Sequence, residues 1–488
     1  MEMKHISNNP LFLAQGICYI HSPVIEYVAQ PHFDLTSSIE ASNKHLSRVH
    51  YSNETLSKLN THMRQRPYLP RHCKQVKAEA NMTSSTNSDP WSFLSFHKQL
   101  VEPPITKNSV KKFDPSVVGQ DAANTRIVVH PRFKQLVDEF LKHKLSHGSQ
   151  HEKKLYSSTT VVQQISRLVA KRPLAFVGGG DFTILRDGTQ VGDGNAEWDR
   201  NGRDVQHHNK LIGIERYLTY DEIMLGSLIG VSGPSYFVND GNRYNRGTPG
   251  KAGTFEPRGV IVGLVGARFE REGRMDSTFC LPLRNFRDSL EMHPDLQNAF
   301  LQFFNARTSK TTPDGHFIVL VYEARMRITI DILLLEANDR AKAAGKKAWT
   351  YVVGLGLGVW QHNSDQPDHY IDAFTDALSE LDLPHIGTLE FAYISVSSDC
   401  QERVTIASEH KGIKAVFSKR NPAEKLEGGE LLVLSYAWDG NSFPGNEYWS
   451  GSLAGSGDPA AACMSTIGEL HNPLINPGFV ERIKVVGE

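Results

Sequence analysis

Three carboxylates stand close together near the end of the chain, in a stretch of glycine and small residues. Asp439, Glu447 and Asp458 lie within Tyr436–Leu470, where an apolar run leads into turns and then into the small-residue loop Ser450–Gly457. Carboxylates in different environments can divide the roles of acid and base when a glycosidic bond is hydrolysed. The segment is therefore the first candidate for a catalytic site.

The neighbours of these carboxylates suggest different roles. Glu447 stands beside Tyr448 and Trp449, and aromatic surroundings raise a carboxyl pKa toward the range that suits acid–base catalysis. Asp458 precedes Pro459 and is a good N-cap for the helical pattern that follows. Asp439 can equally close an Asx-turn at the end of a strand. For Asp439 and Asp458 the structural interpretation therefore stays open beside the functional one.

A second glycine-rich segment follows another apolar run. Gly354, Gly356 and Gly358 stand between the run that begins at Trp349 and the helical pattern from Ile371. Glycines in this place let the backbone pass close to a phosphate. The segment does not have the GxGxxG order of dinucleotide-binding folds, which argues against a dehydrogenase.

A third polar loop repeats part of the first. Asp240-Gly241-Asn242 repeats the Asp-Gly-Asn of residues 439–441 within the long loop Ser235–Gly259. Loops of this length are commonly functional, and an ordinary turn is the alternative. By contrast, Arg268, Arg271 and Arg274 alternate with acids as in a surface charge ladder, and Gly178–Asp181 indicates a tight turn.

The segments around these loops predict an α/β fold. Continuous apolar runs alternate with helical patterns, as in a mostly parallel sheet that is covered on both faces. Strands are predicted in Arg126–His130, Leu174–Leu185, Val260–Glu270, Trp349–Trp360, Thr388–Val396 and Glu430–Trp438, helices in Phe133–Leu145, Ser157–Pro173 and Ile371–Leu381, and a strand leading into a long helix in His316–Lys347. Ligands of such sheets bind outside the carboxyl ends of the strands.

Composition divides the chain and limits its partners. Residues 1–120 are rich in Ser, Asn, His, Thr and Pro and predict a low-order N-terminal extension; residues 121–235 predict a helical and α/β lead-in, and residues 236–488 the catalytic domain. Lys and Arg number 53 against 54 Asp and Glu, so no charge footprint for nucleic acid or membrane is present. Five scattered cysteines, with no apolar run long enough for a transmembrane helix, favour a reducing cytoplasm.

The loops resemble those of macrodomains. Asp439-Gly440-Asn441 followed by Pro444–Glu447 resembles the loop that holds ADP-ribose, and Gly354–Trp360 resembles the loop that holds its diphosphate. The closest similarity is to poly(ADP-ribose) glycohydrolase-like macrodomains and, within them, to bacterial effector ADP-ribosylhydrolases that act on modified ubiquitin. The glycohydrolase QEE signature, and a GGG immediately before the acids of this loop, are absent, and the position of the acidic loop near the C-terminus implies a permuted or elaborated topology.

The resemblance implies an ADP-ribosylhydrolase that acts on a modified protein, with ubiquitin as a candidate, either in its own cytoplasm or in that of a host cell. Glu447 would act as general base or acid, while Asp439 and Asp458 hold the ribose. The implied ADP-ribose-binding residues are Asp240, Asn242, Gly354, Gly356, Gly358, Trp360, Asn441, Phe443, Gly445, Asn446 and Tyr448. No cofactor is expected, with Mg²⁺ as the less favoured variant. A non-catalytic ADP-ribose reader, or a hydrolase of another nucleotide or phosphosugar, is the alternative.

Overall fold

A computed structural model describes residues 89–192, 194–281, 291–306 and 317–488 of the chain. Its centre is an eight-stranded mixed sheet with the order β11-β1-β5-β6-β10-β7-β8-β9. The strands are β1 Arg126–Val129, β5 Ile229–Tyr236, β6 Arg258–Leu264, β7 Ala348–Val352, β8 Ile386–Ala392, β9 Lys414–Ser418, β10 Leu431–Ala437 and β11 Ile483–Val485. Only β5 runs antiparallel to its neighbours, so the predicted mostly parallel sheet is confirmed.

Helices flank this sheet, as its apolar strands require. Thr160 and Gln163 form a capping box that begins one of them, which the Ser/Thr run predicted. The helices are α1 Pro115–Asn124, α2 Phe133–His147, α3 Gln150–Tyr156, α4 Val161–Ala170, α5 Gly194–Arg200, α6 Tyr220–Gly226, α7 Ser277–Cys280, α8 Pro294–Phe304, α9 Val319–Ala343, α10 Gln366–Glu380, α11 Ser398–His410, α12 Asp458–Met464 and α13 Ile467–Leu470. Among the helices that the structure describes, none has the length and apolarity that a membrane crossing needs.

One predicted strand is wrong. The apolar run that opens at residue 317 was expected to be a strand before a helix, but Val319–Ala343 is helical throughout. Periodicity cannot distinguish a strand from a helix that is buried on most sides, and α9 buries Tyr322, Ile328 and Leu334, which lie on different faces. The helix therefore passes through the interior of the domain, and residues 307–316 lie outside the described part.

The parallel strands bring the candidate loops to one edge. β10 pairs with β6 on one side and β7 on the other, all three parallel. Their carboxyl ends, at Leu264, Val352 and Ala437, therefore open onto the same edge of the sheet. β5 is antiparallel to β6, so the loop that contains Asp240 starts at the opposite edge.

A small antiparallel sheet lies beside this edge. It contains β2 Ala175–Val177, β3 Phe182–Ile184 and β4 Gln190–Val191 in sequence order. The predicted turn at residues 178–181 joins the first two strands, and Asp181 adopts a left-handed backbone with φ of +48°. A non-glycine residue in this conformation is uncommon and is often found at functional sites.

Segments that composition assigned to different parts of the chain lie together in one sheet. β1 and β5 of the predicted lead-in lie in the same sheet as β6–β11. Residues 1–88 of the predicted extension lie outside the described part of the chain. Within residues 89–120, Leu94, Val110 and Val118 pack against Leu470 and Ile475. The boundary at residue 120 remains a prediction.

Candidate active site

Two glycine loops meet backbone to backbone at the carboxyl edge of the sheet. A Cβ on Gly266, after β6, would lie 2.3 Å from the backbone nitrogen of Gly356, and a Cβ on Gly356 would lie 2.8 Å from the carbonyl oxygen of Ala267. Gly356 also has a φ of +77°. Glycine is therefore required at 356 by the neighbouring loop. Gly354 packs against the side chain of Leu357, and open space surrounds Gly358, so the predicted phosphate contact fits Gly358 best.

The three predicted carboxylates come together beside these loops. The backbone nitrogen of Asp439 donates to Asp458 Oδ2 at 3.4 Å, and the backbone nitrogen of Gly445 donates to Asp458 Oδ1 at 3.1 Å. Asp439 Oδ1 accepts from the backbone nitrogen of Asn441 at 2.8 Å, which is the Asx-turn considered from sequence. Glu447 lies on the 3₁₀ turn Asn446–Ser450 and is the most exposed of the three carboxylates.

The predicted N-cap role of Asp458 is wrong. α12 begins at Asp458 itself, and the capping residue is Gly457, with no side-chain cap. The carboxylate turns back to the loop after β10 because two backbone donors there, on Asp439 and Gly445, take it up. The start of α12 thus holds a buried carboxyl group.

Burial, with repulsion from neighbouring carboxylates, raises the pKa of all three carboxyl groups. Burial raises the pKa of Asp439 to about 7; nearby Arg268 opposes this, while Glu270 and Glu447 add to it. Burial, Glu447 and Asp439 raise the pKa of Asp458 well above its ordinary value. Burial, with Glu270, also raises the pKa of Glu447. Perturbed carboxyl groups clustered at strand ends are typical of catalytic sites.

Arg268 is a site residue that the sequence interpretation missed. Its side chain is only 2% exposed, so the expected surface ladder is wrong. Its guanidinium bonds Glu270 at 2.8 Å and Asp181 at 3.2 Å, and lies 4.6 Å from the centroid of Phe176 and 5.7 Å from that of Trp360. Trp360 therefore lies beside Arg268, and its contact with a ligand remains a prediction. Arg268 could have been found from its position in the chain, because it comes soon after β6, as Asp439 comes soon after β10.

An ionic cluster continues from Arg268 into the small sheet. Asp181 pairs with Arg268 and, at 2.8 Å, with Arg271, and it accepts from the Tyr220 hydroxyl. Burial raises the pKa of Asp181 to about 6, opposed by the two arginines. Arg271 also pairs with Asp199. The tight turn at residues 178–181 therefore helps to fix Arg268, whose charge acts on Asp439.

A second buried arginine, Arg172, holds the backbone of Asp439 in place. Arg172 Nη1 donates to the carbonyl of Asp439 at 3.1 Å and Nη2 to that of Gly226 at 2.9 Å, while the guanidinium stacks 3.8 Å from the Trp438 ring. Burial lowers the pKa of Arg172 to about 9. A guanidinium buried in this way fixes the backbone of the loop after β10, since each of its hydrogen bonds is made away from water.

Several predicted ligand contacts are explained by packing. Phe443 and Tyr448 are 0% and 2% exposed in a hydrophobic cluster with Leu174 and Cys463. The amide of Asn446 bonds the backbone of Phe176 through both atoms, at 2.8 and 3.3 Å. Gly445, with φ of +93°, supplies the turn before the 3₁₀ helix. These residues hold the segment after β10 in place through packing and hydrogen bonds, and their direct contact with a ligand remains a prediction.

Asp240 and Asn242 lie in a different environment. Asp240 accepts from the backbone nitrogen of Asn242 at 3.0 Å and from the side-chain amide of Asn421 at 3.0 Å. Asn242 in turn accepts from the backbone nitrogen of Tyr244. The two residues make consecutive Asx-turns, and no hydrogen bond of the described residues joins them to Asp439, so their binding role also remains a prediction.

Asn441 combines full burial with an unused amide. Its side chain is 0% exposed, and neither Nδ2 nor Oδ1 makes a hydrogen bond with a described residue. A buried amide without a partner costs stability. Its place two residues after Asp439 therefore fits a group retained to bind a ligand.

Asn441→Leu tests this role against a structural one. We expect the variant to keep or gain about 1 kcal/mol of unfolding free energy, because it removes an unpaired buried amide, and to bind ADP-ribose at least roughly 10-fold more weakly. Calorimetric titration and urea denaturation measure the two quantities. Asn446→Leu is the matched control, because its paired amide should make that change destabilising. Unchanged ADP-ribose affinity in Asn441→Leu would remove Asn441 from the binding site.

Comparisons with known proteins place this site in a family. The model of a family described as MavL-like ADP-ribosylhydrolases matches residues 102–281 and 283–485. The Drosophila melanogaster ADP-ribosylarginine hydrolase CG3568 is 36% identical over 399 residues, which cover 74% of this chain and 78% of that protein. A second relative from that organism, ADP-ribosylarginine hydrolase CG2909, is 32% identical over 416 residues, covering 76% and 81%.

Proposed function

The chain belongs to the family of MavL-like ADP-ribosylhydrolases, hydrolases that act on ADP-ribosylated protein, and on this premise we propose that it cleaves ADP-ribose from arginine side chains. Both Drosophila relatives are named as ADP-ribosylarginine hydrolases, which supports the arginine linkage. The observation that carries the proposal is the acidic site itself. Burial and neighbouring carboxylates raise the pKa of Asp439, Glu447 and Asp458, and such an acidic site favours the cationic guanidinium of the arginine linkage.

We place ADP-ribose across the carboxyl ends of β6, β10 and β7, with a macrodomain-like binding mode as the working hypothesis. The diphosphate lies against Gly354–Gly358, and Trp360 and Arg268 flank it. The ribose faces Asp439 and Asn441. The loops that would form this surface follow three neighbouring parallel strands, and ligands of open α/β sheets bind at such strand ends.

Hydrolysis proceeds in this proposal by carboxylate-assisted attack of water. The water oxygen bonds to C1″ of the ribose, and the C1″–N bond breaks with its electron pair passing to the guanidino nitrogen. Glu447, the most exposed of the three carboxylates, accepts one proton of the water, and that proton then passes to the departing neutral guanidine, which leaves as the arginine cation. Asp439 and Asp458 hold ribose hydroxyls and stabilise the oxocarbenium-like charge.

We propose that this chemistry needs no metal ion at the carboxylates. Two groups of described residues bring three potential metal ligands within 4.8 Å of one another, and the three carboxylates of the site are in neither. Arg268 instead supplies positive charge beside Asp439 and Glu270. We also propose ubiquitin as a candidate substrate, on the resemblance alone, and a reducing compartment, because Cys280, Cys400 and Cys463 are free thiols.

The linkage is tested by comparing proteins that carry ADP-ribose on arginine, on glutamate and on serine, assayed in EDTA. We expect kcat/KM for the arginine linkage to exceed that for the glutamate and serine linkages by at least about 100-fold, because only the arginine linkage carries a positive charge. Ubiquitin and an unrelated protein, both modified on arginine, are compared in parallel. Equal rates for all linkages would refute the arginine assignment, and activity that Mg²⁺ restores after EDTA would refute the metal-free mechanism.

A further inference from the structure

Three histidines converge beside a cavity of about 310 Å³ that lies between α2, α6 and the start of α8. His143 and His147 are one turn apart on α2, with ring centroids 4.7 Å apart. His293 is the N-cap of α8, and its ring lies 4.9 Å from that of His143 and 4.7 Å from that of His147. The proposed hydrolysis uses none of these residues.

The ring nitrogens of this cluster have few partners. Both nitrogens of His143 are shielded from solvent and make no hydrogen bond with a described residue. His293 Nδ1 accepts from the backbone nitrogen of Asp295 at 3.2 Å and lies 3.8 Å from Asp295 Oδ2. Ligand atoms of His147, His293 and Asp295 lie within 4.8 Å of one another. Apolar packing alone does not account for three imidazoles placed in this way.

We propose that His143, His147 and His293 bind a divalent transition metal ion of the zinc class, with Asp295 orienting His293. Imidazole nitrogen is a preferred ligand of such ions, and two histidines one helical turn apart can bind one ion. Zinc–nitrogen bonds of about 2.0–2.1 Å place tetrahedral ligand atoms about 3.3 Å apart. The three ring centroids lie 4.7 to 4.9 Å apart, so side-chain rotation would have to bring the ligand nitrogens to that separation, and the cavity would leave the fourth position to water.

The charges around the cluster are compatible with a bound cation. The charge of Lys144 is balanced by Glu152 at 2.7 Å and Asp221 at 2.6 Å. Binding through Nε2 of His293 puts the proton on Nδ1, so the N-cap bond from the Asp295 backbone nitrogen is replaced by donation from Nδ1 to the Asp295 carboxylate, now 3.8 Å away.

The metal site is separate from the carboxylate site. Arg274, which lines the cavity, pairs with Asp199, and further ion pairs through Arg271 and Asp181 lead to Arg268. The ion would join α2 to α8 and stabilise the folded chain by mass action. Binding of the ion therefore does not depend on whether the proposed hydrolysis takes place.

The test is zinc uptake by the full chain, measured by equilibrium dialysis, with Co²⁺ as a spectroscopic substitute. Because the chain has 21 histidines, the informative quantity is the difference between the native chain and the His147→Ala/His293→Ala variant. We expect the variant to lose one equivalent of tightly bound zinc, the tetrahedral Co²⁺ absorption and the zinc-induced rise in Tm. We expect Asp295→Asn to weaken zinc binding about 10- to 100-fold, as outer-shell changes do.

The matched control is His207→Ala/His208→Ala, which removes another adjacent pair of rings, 4.0 Å apart. Its zinc uptake should equal that of the native chain. The proposal is overturned if the His147→Ala/His293→Ala variant binds as much zinc as the native chain, or if neither chain binds zinc tightly. Both side chains of that variant are exposed, so it is expected to fold.

Discussion

Glu447→Gln is expected to lower turnover of an arginine-linked ADP-ribosylated protein by about two to four orders of magnitude, the usual effect of removing a general base. Its affinity for ADP-ribose should change little. Glutamine keeps the size and hydrogen-bonding capacity of the side chain but cannot accept the proton of the attacking water. Single-turnover kinetics and calorimetric titration with ADP-ribose measure the two effects separately.

The position of Glu447 explains why so large an effect is expected. Asp439 and Asp458 are each 5% exposed and bond the backbone of their own loop, whereas Glu447 is partly open to solvent. Burial and Glu270 raise its pKa, which brings it closer to the working pH. A carboxylate with access to water and a raised pKa is suited to proton transfer in the transition state.

Glu469→Gln is the matched control for Glu447→Gln. Burial also raises the pKa of Glu469, but its carboxylate accepts from Ser109 Oγ at 2.8 Å and from the backbone nitrogen of Val110 at 2.6 Å. That change should lower the free energy of unfolding and leave the turnover of the folded protein unchanged. If Glu447→Gln retains native turnover, Glu447 has no role in the chemistry and the mechanism must be assigned to Asp439 or Asp458.

The acidic loop was predictable from sequence because its chemistry is local. Asp439, Glu447 and Asp458 lie within twenty residues and follow one apolar strand, so chain connectivity alone keeps them close. The alternation of apolar runs and helical patterns likewise predicted the parallel strands. Glu447 was favoured because of its aromatic neighbours, and burial is indeed the main cause of its raised pKa.

The partners of the acidic loop were not predictable because they depend on which strands pair. Arg268 precedes Asp439 by more than 170 residues, and only the pairing of β6 with β10 brings the two ends together. Arg172 and Asp181 reach the site through long-range hydrogen bonds. A single sequence contains no pairing information, so arginines that alternate with acids were taken for a solvated ladder.

Asp439→Asn should reduce activity and increase stability, with the gain in stability growing as the pH rises from 5 to 8. Burial raises the pKa of Asp439 to about 7 from its ordinary value of 3.8. Between these values the folded chain holds a proton that the unfolded chain has released. The free energy of unfolding of the native protein therefore falls with rising pH across that window and then levels off.

Asparagine carries no charge, so the variant avoids this loss, which is on the order of a few kcal/mol before solvent screening is considered. Urea denaturation at pH 5 and pH 8 measures the difference. Asp187→Asn is the control: Asp187 also closes an Asx-turn, with Thr189, but that hydrogen bond lowers its pKa. Its ionisation is complete by pH 5, so its effect on stability should be equal at both values. A stability difference for Asp439→Asn that does not grow with pH would show that Asp439 ionises normally. Its charge would then cost the fold no stability. We could then no longer infer that Asp439 is kept for its function, because that inference rests on a group that is costly when charged and persists only where function requires its charge.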